Sequence, residues 1–401
     1  MIHETPTPRA PQDFALQPDH LLHRGQRAML GAGVLALLAT GAGGLVDHVQ
    51  FFRSYLVAYM FWAGIALGSL ALVALNHISG GRWGVVIRRI CEAAMRTLPL
   101  LALLFVPIVF GLTDLYEWAR PEVVAHDPLL QHKAAYLNVP FFLIRVVIYF
   151  AVWIVVAHYL MRWSLEQDRT DDPDLVRRLQ LLGRGGLLLY SLTMTFAAID
   201  WAMSLEPHWY STIYGILIIG GQVLSAFAFV IPVLMMISDR PPLSEVVTAE
   251  QFHDLGKLLL AFVMLYAYFA FSQFLIIWSA NLPEEVPWYL KRLAGGWQWV
   301  AIALVFFHFA LPFTILLSRD LKRNARRLAV VAFIVLLARL VDLNWLITPA
   351  FSPGRVTVHW MDFAAVLGVG GIWLSMFLWQ LRDRPLVPLH DPALPVATVS
   401  A

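Results

Sequence analysis

The sequence predicts an all-α polytopic membrane protein: ten transmembrane helices, as two parallel four-helix bundles (spans 2–5 and 6–9) plus two peripheral helices. Three observations carry that expectation. Of the 401 residues, 59% are hydrophobic and 14% charged, against about 45–50% apolar and about 25% charged in soluble chains. Ten apolar runs stand out at 28–46, 55–76, 85–113, 139–161, 180–203, 210–237, 257–280, 297–318, 328–348 and 358–381, and about 20 residues of helix cross a ~30 Å hydrocarbon core. Runs such as LLALLFVPIVF and VVAFIVLLARL lack the period-2 alternation of barrel strands, so the spans are helical.

Taken in order, the chain divides into a polar tail 1–27, the first span and its loop 28–54, one bundle 55–209, a second 210–350, the tenth span 351–381 and a proline-rich tail 382–401. The first 27 residues have no apolar core before a small-residue cleavage site, so span 1 is expected to act as an uncleaved insertion signal. Ala39 and Gly43 in span 1, and Gly64 and Gly68 in span 2, have the spacing that lets membrane helices approach closely. Span 3 carries Arg88, Glu92 and Arg96 at i, i+4 and i+8, one helix face on which Glu92 can pair with either arginine. His77 and His158, at the ends of spans 2 and 4, extend that inner group. Span 3 leaves as GLTDLYEW, with Asp114, Tyr116 and Glu117; span 4 holds Arg145, and span 5 ends FAAIDWAM around Asp200. In the second half, span 7 leaves as IIWSANLPEEVPWY and span 9 ends LARLVDLNWLI, with Arg339 and Asp342. Each half thus closes on an acid near an aromatic, and four spans per copy make the repeats parallel rather than inverted. His308 sits 11 residues into span 8, roughly 16 Å deep at about 1.5 Å per residue. Asp362 opens span 10.

Orientation is read from the basic residues flanking the spans. Of 29 Lys and Arg, 20 lie on one side, six on the other, and three (Arg96, Arg145, Arg339) within spans. That bias and the even span count place both termini in the cytoplasm. The opposite loops are rich in Trp, Tyr, Pro and acids, as interfacial belts or docking surfaces are.

Charge and cysteine usage narrow the function. A net charge of +2 gives no basic surface of the kind that tracks nucleic acid. Cys91 is the only cysteine, which excludes an internal disulfide, a Cys-ligated iron–sulfur cluster and a CxxCH haem attachment. Only His308 is deep, so the paired histidines of a dihaem cytochrome b are missing. No Walker A, dinucleotide-binding, HExxH or GxSxG pattern occurs, leaving nucleotide-driven transport and hydrolysis without support. Ionisable residues inside a membrane are functional candidates by default, and His308 alone near the midplane exchanges a proton near neutral pH.

The stretch FAAIDWAMSLEPHWYSTIYGILIIGGQVLSAFAF, from about residue 196 to 230, resembles the signature of the ActF-type membrane subunit of alternative complex III, in the NrfD/PsrC superfamily. The match runs as D-W-x-M-S-L-E-P-H-W-(Y/F)-S-T-(I/M)-Y-G from Asp200 to Gly215, and includes Trp201, Glu206, Pro207, His208 and Trp209. The resemblance implies a subunit of the bacterial inner membrane in a quinol:electron-acceptor oxidoreductase. It implies no metal on this chain and a possible quinone or quinol. Implied partners are lipid, a homologous NrfD-like membrane subunit, an iron–sulfur subunit, c-type cytochrome subunits that carry haem c, and a terminal oxidase. Joined to the charge pattern, it yields the expected proton path His77, Glu92, Arg96, Asp114, Glu117, Asp200, His308 and Asp342. The alternatives are a quinone head-group site at Asp114, Tyr116, Glu117 and Arg145, a purely structural anchor, and an independent transporter.

Overall fold

A computed structural model describes residues 15, 21–170, 172–239, 243–382, 384–388 and 391. Arg9, Arg240, and most of the expected tails 1–27 and 382–401 lie outside the described residues. Among the described residues ten helices are long and apolar enough to cross a membrane: α1 Gly25–Gly44, α2 His48–Ser79, α3 Arg82–Phe110, α4 Val139–Gln167, α5 Pro173–Leu205, α6 Tyr214–Ile237, α7 Ala249–Ala280, α8 Trp297–Leu316, α9 Ala325–Ala350 and α10 Trp360–Leu381. The chain is an all-α polytopic membrane protein, with no strand among the described residues beyond the isolated bridge of Ala15 with Pro385.

Each helix overlaps an expected span; five stop or start two to four residues short of the expected bounds, at 46, 113, 210, 318 and 358, and others run further. α2 starts seven residues before its apolar run, α5 seven before and α7 eight before, while α4 continues six beyond. Apolar runs mark the hydrocarbon crossing, whereas the helix ends lie where polar side chains cap the backbone. Asp47 accepts from the Gln50 amide, Asn138 from Phe141 and Asp172 from Asp174, and Thr248 with Gln251 forms a capping box at α7. The α2–α3 turn uses Gly80 and Gly81 at φ 65° and 98°, a backbone region that side chains rarely enter.

α2 contacts α3, α4 and α5; α6 contacts α7 and α9, and α8 closes against α9. The first helices of the two units, α2 and α6, are the most buried and pack on each other. Gly68 makes this possible, since a Cβ there would lie 2.0 Å from the Gln222 carbonyl oxygen. Outside the bundles α1 and α10 pair, Gly33 facing the backbone of Gly371, and α10 also rests on α2, where Trp62 donates to the Val366 carbonyl at 2.9 Å. α3 is broken after Met95 and again at Phe105, next to Pro99 and Pro107, because proline lacks the N–H that continues a helix. Trp373 of α10 donates to the Thr97 hydroxyl at the first break, at 2.8 Å.

The architecture has two polar ends. One holds the α2–α3, α4–α5, α6–α7 and α8–α9 turns and most of the arginines; the other holds the aromatic loops, with short helices at Pro121–His126, Pro128–Lys133 and Val286–Arg292.

Candidate functional site

The buried charges group at three places. In the second bundle, α7 supplies Tyr266, α8 His308, and α9 Arg339 and Asp342, all buried. Arg339 forms an ion pair with Asp342, the Tyr266 hydroxyl donates to the same carboxylate, and Arg339 donates to the Tyr266 oxygen at 2.8 Å. The His308 ring lies 4.8 Å from the Tyr266 ring, centroid to centroid. Its Nε2 is buried with no hydrogen-bond partner among the described residues.

The local backbone explains how a histidine comes to sit there. Residues Val305–Ala310 form a π turn, the wider turn often found at functional sites. Pro312 follows, and it has no N–H to give to the His308 carbonyl four residues back. Through that turn Phe306 and Phe307 face outward while His308 faces the bundle. The guanidinium of Arg339 rests against Gly221 of α6, where a Cβ would lie 2.3 Å from its Cζ.

In the first bundle the corresponding carboxylate accepts three hydrogen bonds. Arg145 of α4 donates through Nε and Nη2 to the two oxygens of Asp200 of α5, at 2.8 and 2.9 Å. Tyr149 donates to Asp200 at 2.8 Å, and Arg145 Nη1 donates to the Tyr136 carbonyl at 2.9 Å. The guanidinium also stacks over the Tyr136 and Phe141 rings, 3.9 and 4.4 Å from their centroids. Burial, and then the Asp200 charge, raises the phenols of Tyr136 and Tyr116 above their ordinary range. The sequence alone gives Asp200 few local partners and so a protonatable role; the fold provides three donated hydrogen bonds from α4.

At the arginine-rich end, the expected pairing within Arg88, Glu92 and Arg96 is replaced by a different one. Glu92 pairs with Arg89 at 2.7 Å, and Arg89 reaches Asp168 and Ser164 at the end of α4. Arg88 bonds Asn76 and, at 2.6 Å, Asp391. The 89–92 spacing of three serves a helix pair as well as four does, and α4 decides between them by presenting Ser164 and Asp168. Glu92 Oε1 and His77 Nε2 are buried without hydrogen-bond partners among the described residues. Arg96 is half-buried and His158 exposed, and both line a cavity beside α4.

The four residues expected to receive a quinone head group separate. Arg145 is committed to Asp200, and the Tyr116 hydroxyl donates to the Trp201 carbonyl at 2.9 Å. Asp114 lies 2.8 Å from His48, and Glu117 is exposed at the start of a short 3-10 turn. Asp362 is tied to α2 by Gln50 and Ser54, at 3.0 and 2.6 Å.

The motif following Asp200 forms a staple between the bundles. Glu206 bonds Lys291 and Arg292 in the α7–α8 loop, both at 2.8 Å. Arg292 in turn donates to the Leu346 carbonyl at 2.7 Å and lies over the Trp288 ring. Trp209 stacks on Trp288 at 4.7 Å. Lys133 donates to the Pro207 carbonyl at 2.6 Å, and His208 pairs with Asp127 at 2.7 Å. Desolvation acts to raise the Asp127 carboxyl, but the Leu130 amide and His208 outweigh it and leave it below the ordinary range. Sequence reasoning missed Tyr149, Arg89, Lys291 and Arg292; none has its partner close enough along the chain to leave a spacing signal, except Arg89.

No family model and no curated protein matches this chain. Among the described residues no three His, Cys, Asp or Glu side chains come together as metal ligands. Chemically, the second-bundle cluster is the versatile one. Asp342 and Tyr266 share a hydrogen bond under an arginine, next to an imidazole with a free ring nitrogen that accepts or gives a proton according to its tautomer.

Proposed function

We propose that this chain is a metal-free membrane subunit of a quinol-oxidising respiratory complex of the alternative complex III type, in the bacterial inner membrane. In that role it provides a proton route coupled to quinol oxidation. The single observation that carries the reading is the buried His308–Tyr266–Asp342–Arg339 cluster, set deep in the span on a π turn. Ionisable groups at such depth are costly and are kept where they serve a pathway. The resemblance of the Asp200 to Gly215 motif supports this family, and the arginine bias supports an orientation with both termini cytoplasmic. Quinol oxidised at the aromatic end releases protons there. The second-bundle cluster and the Arg89–Glu92 pair form successive stations across the membrane, with water bridging between them. The redox groups, haem c and iron–sulfur clusters, belong to partner subunits, beside a homologous membrane subunit and a terminal oxidase.

The quinone-site reading has less support, because Asp114, Tyr116, Glu117 and Arg145 bind in separate places. The anchor reading accounts well for Asp200, whose two oxygens are both bonded to Arg145, and poorly for His308 and Glu92, each of which has a buried polar atom with no hydrogen-bond partner among the described residues.

The test is the proton-to-electron ratio of the reconstituted complex in vesicles, with Glu92→Gln, His308→Gln and Asp342→Asn. Assembly is checked first by copurified haem c and iron–sulfur spectra. A lowered ratio in assembled variants is expected. Unchanged turnover and ratio in all three refutes the route, and a colourless chain that purifies alone refutes the complex.

A further inference from the structure

The arginine-rich end holds a feature that the proton route does not use. A cavity of about 510 Å³ opens beside α4, framed by Arg96 of α3 and by His158, Arg162, Glu166 and Arg169, with Met161 and Leu165 as its apolar floor. Three arginines face one carboxylate. Arg96, Arg162 and Arg169 make no ion pair with another described residue, unlike Arg88, Arg89 and Arg145 in the core. Arg384 adds to the excess: burial first, and then repulsion from Arg96, depresses its guanidinium to about 10. Unneutralised arginines around a concave site match the geometry of a phosphate, which a guanidinium binds with two parallel hydrogen bonds.

The same helix face shows where the rest of the ligand lies. Steps of four, seven and seven residues lead from Ile144 to Ile148, Val155 and Arg162, within about one third of a turn of each other on a helix of 3.6 residues per turn. All three aliphatic side chains are exposed. From Ile144 to Val155 the stripe therefore offers roughly 16 Å of apolar surface, at about 1.5 Å per residue, and it leads to the basic cavity. A free phosphate needs only the cavity; an amphiphile uses both parts.

We propose that this cavity holds the phosphate of an anionic phospholipid whose acyl chains lie along Val155 towards Ile148. Basic pockets between membrane helices at the polar boundary are the general form of such sites. The lipid packs where α3 is broken, bracing the Arg96 segment against α4.

The experiment is native mass spectrometry of the detergent-purified full chain, titrated with phosphatidylglycerol, cardiolipin or phosphatidylcholine, and separately with inorganic phosphate. The exposed pair Arg162→Gln/Arg169→Gln is compared with Arg326→Gln/Arg327→Gln, equally exposed at the same end of the molecule. The wild-type chain is expected to retain the anionic lipids over phosphatidylcholine. The cavity pair should lose that retention by about thirtyfold, at about fivefold per arginine near a membrane surface, and the control pair should keep it. Equal retention of anionic and neutral lipid, or equal loss in both pairs, overturns the site. Saturation by inorganic phosphate that displaces the lipid completely overturns the lipid as occupant.

Discussion

The ion pair of Arg145 with Asp200 is buried, bidentate and joined by Tyr149, so removing either partner should be far more damaging than removing both. Asp200→Asn keeps the volume and one acceptor but strands a guanidinium that is almost fully buried. Breaking a buried pair this way costs about 3–5 kcal/mol. The Tyr136 carbonyl and the two ring faces still hold Arg145, which puts the expected loss at the lower end, about 3 kcal/mol. Arg145→Leu strands the carboxylate with Tyr149 alone and should cost at least as much. In the double variant Arg145→Leu/Asp200→Asn no charge is left; the Asn carbonyl still accepts from Tyr149, and the principal debt is the unpaired side-chain amide N–H, about 1–3 kcal/mol. The coupling energy is then about 3 kcal/mol or more. The assay is unfolding of the purified chain in mixed micelles of mild detergent and dodecyl sulfate, followed by circular dichroism for the four proteins of the cycle. Neutral hydrogen bonds between membrane helices average about 0.6 kcal/mol. A coupling of that size or less would show that the pair is an ordinary contact, and would refute its role as the pin of the first bundle.

Two further outcomes follow from the packing and the loops. Gly68→Ala should destabilise the fold by about 1–3 kcal/mol or more, since its Cβ meets backbone of α6, whereas Gly64→Ala, whose Cβ would lie 3.5 Å from a Gln222 carbon, should stay within about 0.5 kcal/mol; equal effects in the same unfolding assay would mean that the α2–α6 contact is looser than described. The Asp127 carboxyl is held below its ordinary value when folded, so the stabilisation it gives the loop is present above about pH 4 and is lost as pH falls below that. A nitroxide at the exposed position Ala125→Cys, with the single native Cys91 buried, should mobilise between pH 6 and pH 3. With Asp127→Asn added it should be mobile throughout, and a pH-independent spectrum in both would remove the carboxylate as the loop's fastener.

Much of the fold was legible because crossing a membrane demands long apolar helices, and that demand writes itself into composition. The Gly64 and Gly68 spacing likewise foretold a close helix approach. Ion pairing was not legible to the same degree. Glu92 has arginines at −4, −3 and +4, and a helix permits all three; only the side of α3 turned toward Ser164 and Asp168 selects Arg89. Arg145 and Asp200 are 55 residues apart, a separation at which pattern carries no register. The π turn is invisible for another reason: VFFHFA is ordinary helix by composition, and Pro312 signals a break without saying which residue it re-aims.

The way each acid is held explains why the second bundle is the better candidate for chemistry. Asp200 and Asp342 end corresponding helices, yet their arginines come from different places. In the first bundle the arginine reaches across from α4 with a flat two-point grip, and Tyr149 donates to the oxygen that accepts from Arg145 Nε. In the second, Arg339 stands three residues before its carboxylate on the same helix. A partner one turn away on the same helix cannot face the carboxylate as squarely as one from a neighbouring helix, and the space so freed is occupied by Tyr266 of α7 and His308 of α8. The arginine from a neighbouring helix thus makes Asp200 a fixed pin, whereas the arginine on its own helix leaves Asp342 beside the tyrosine and the imidazole.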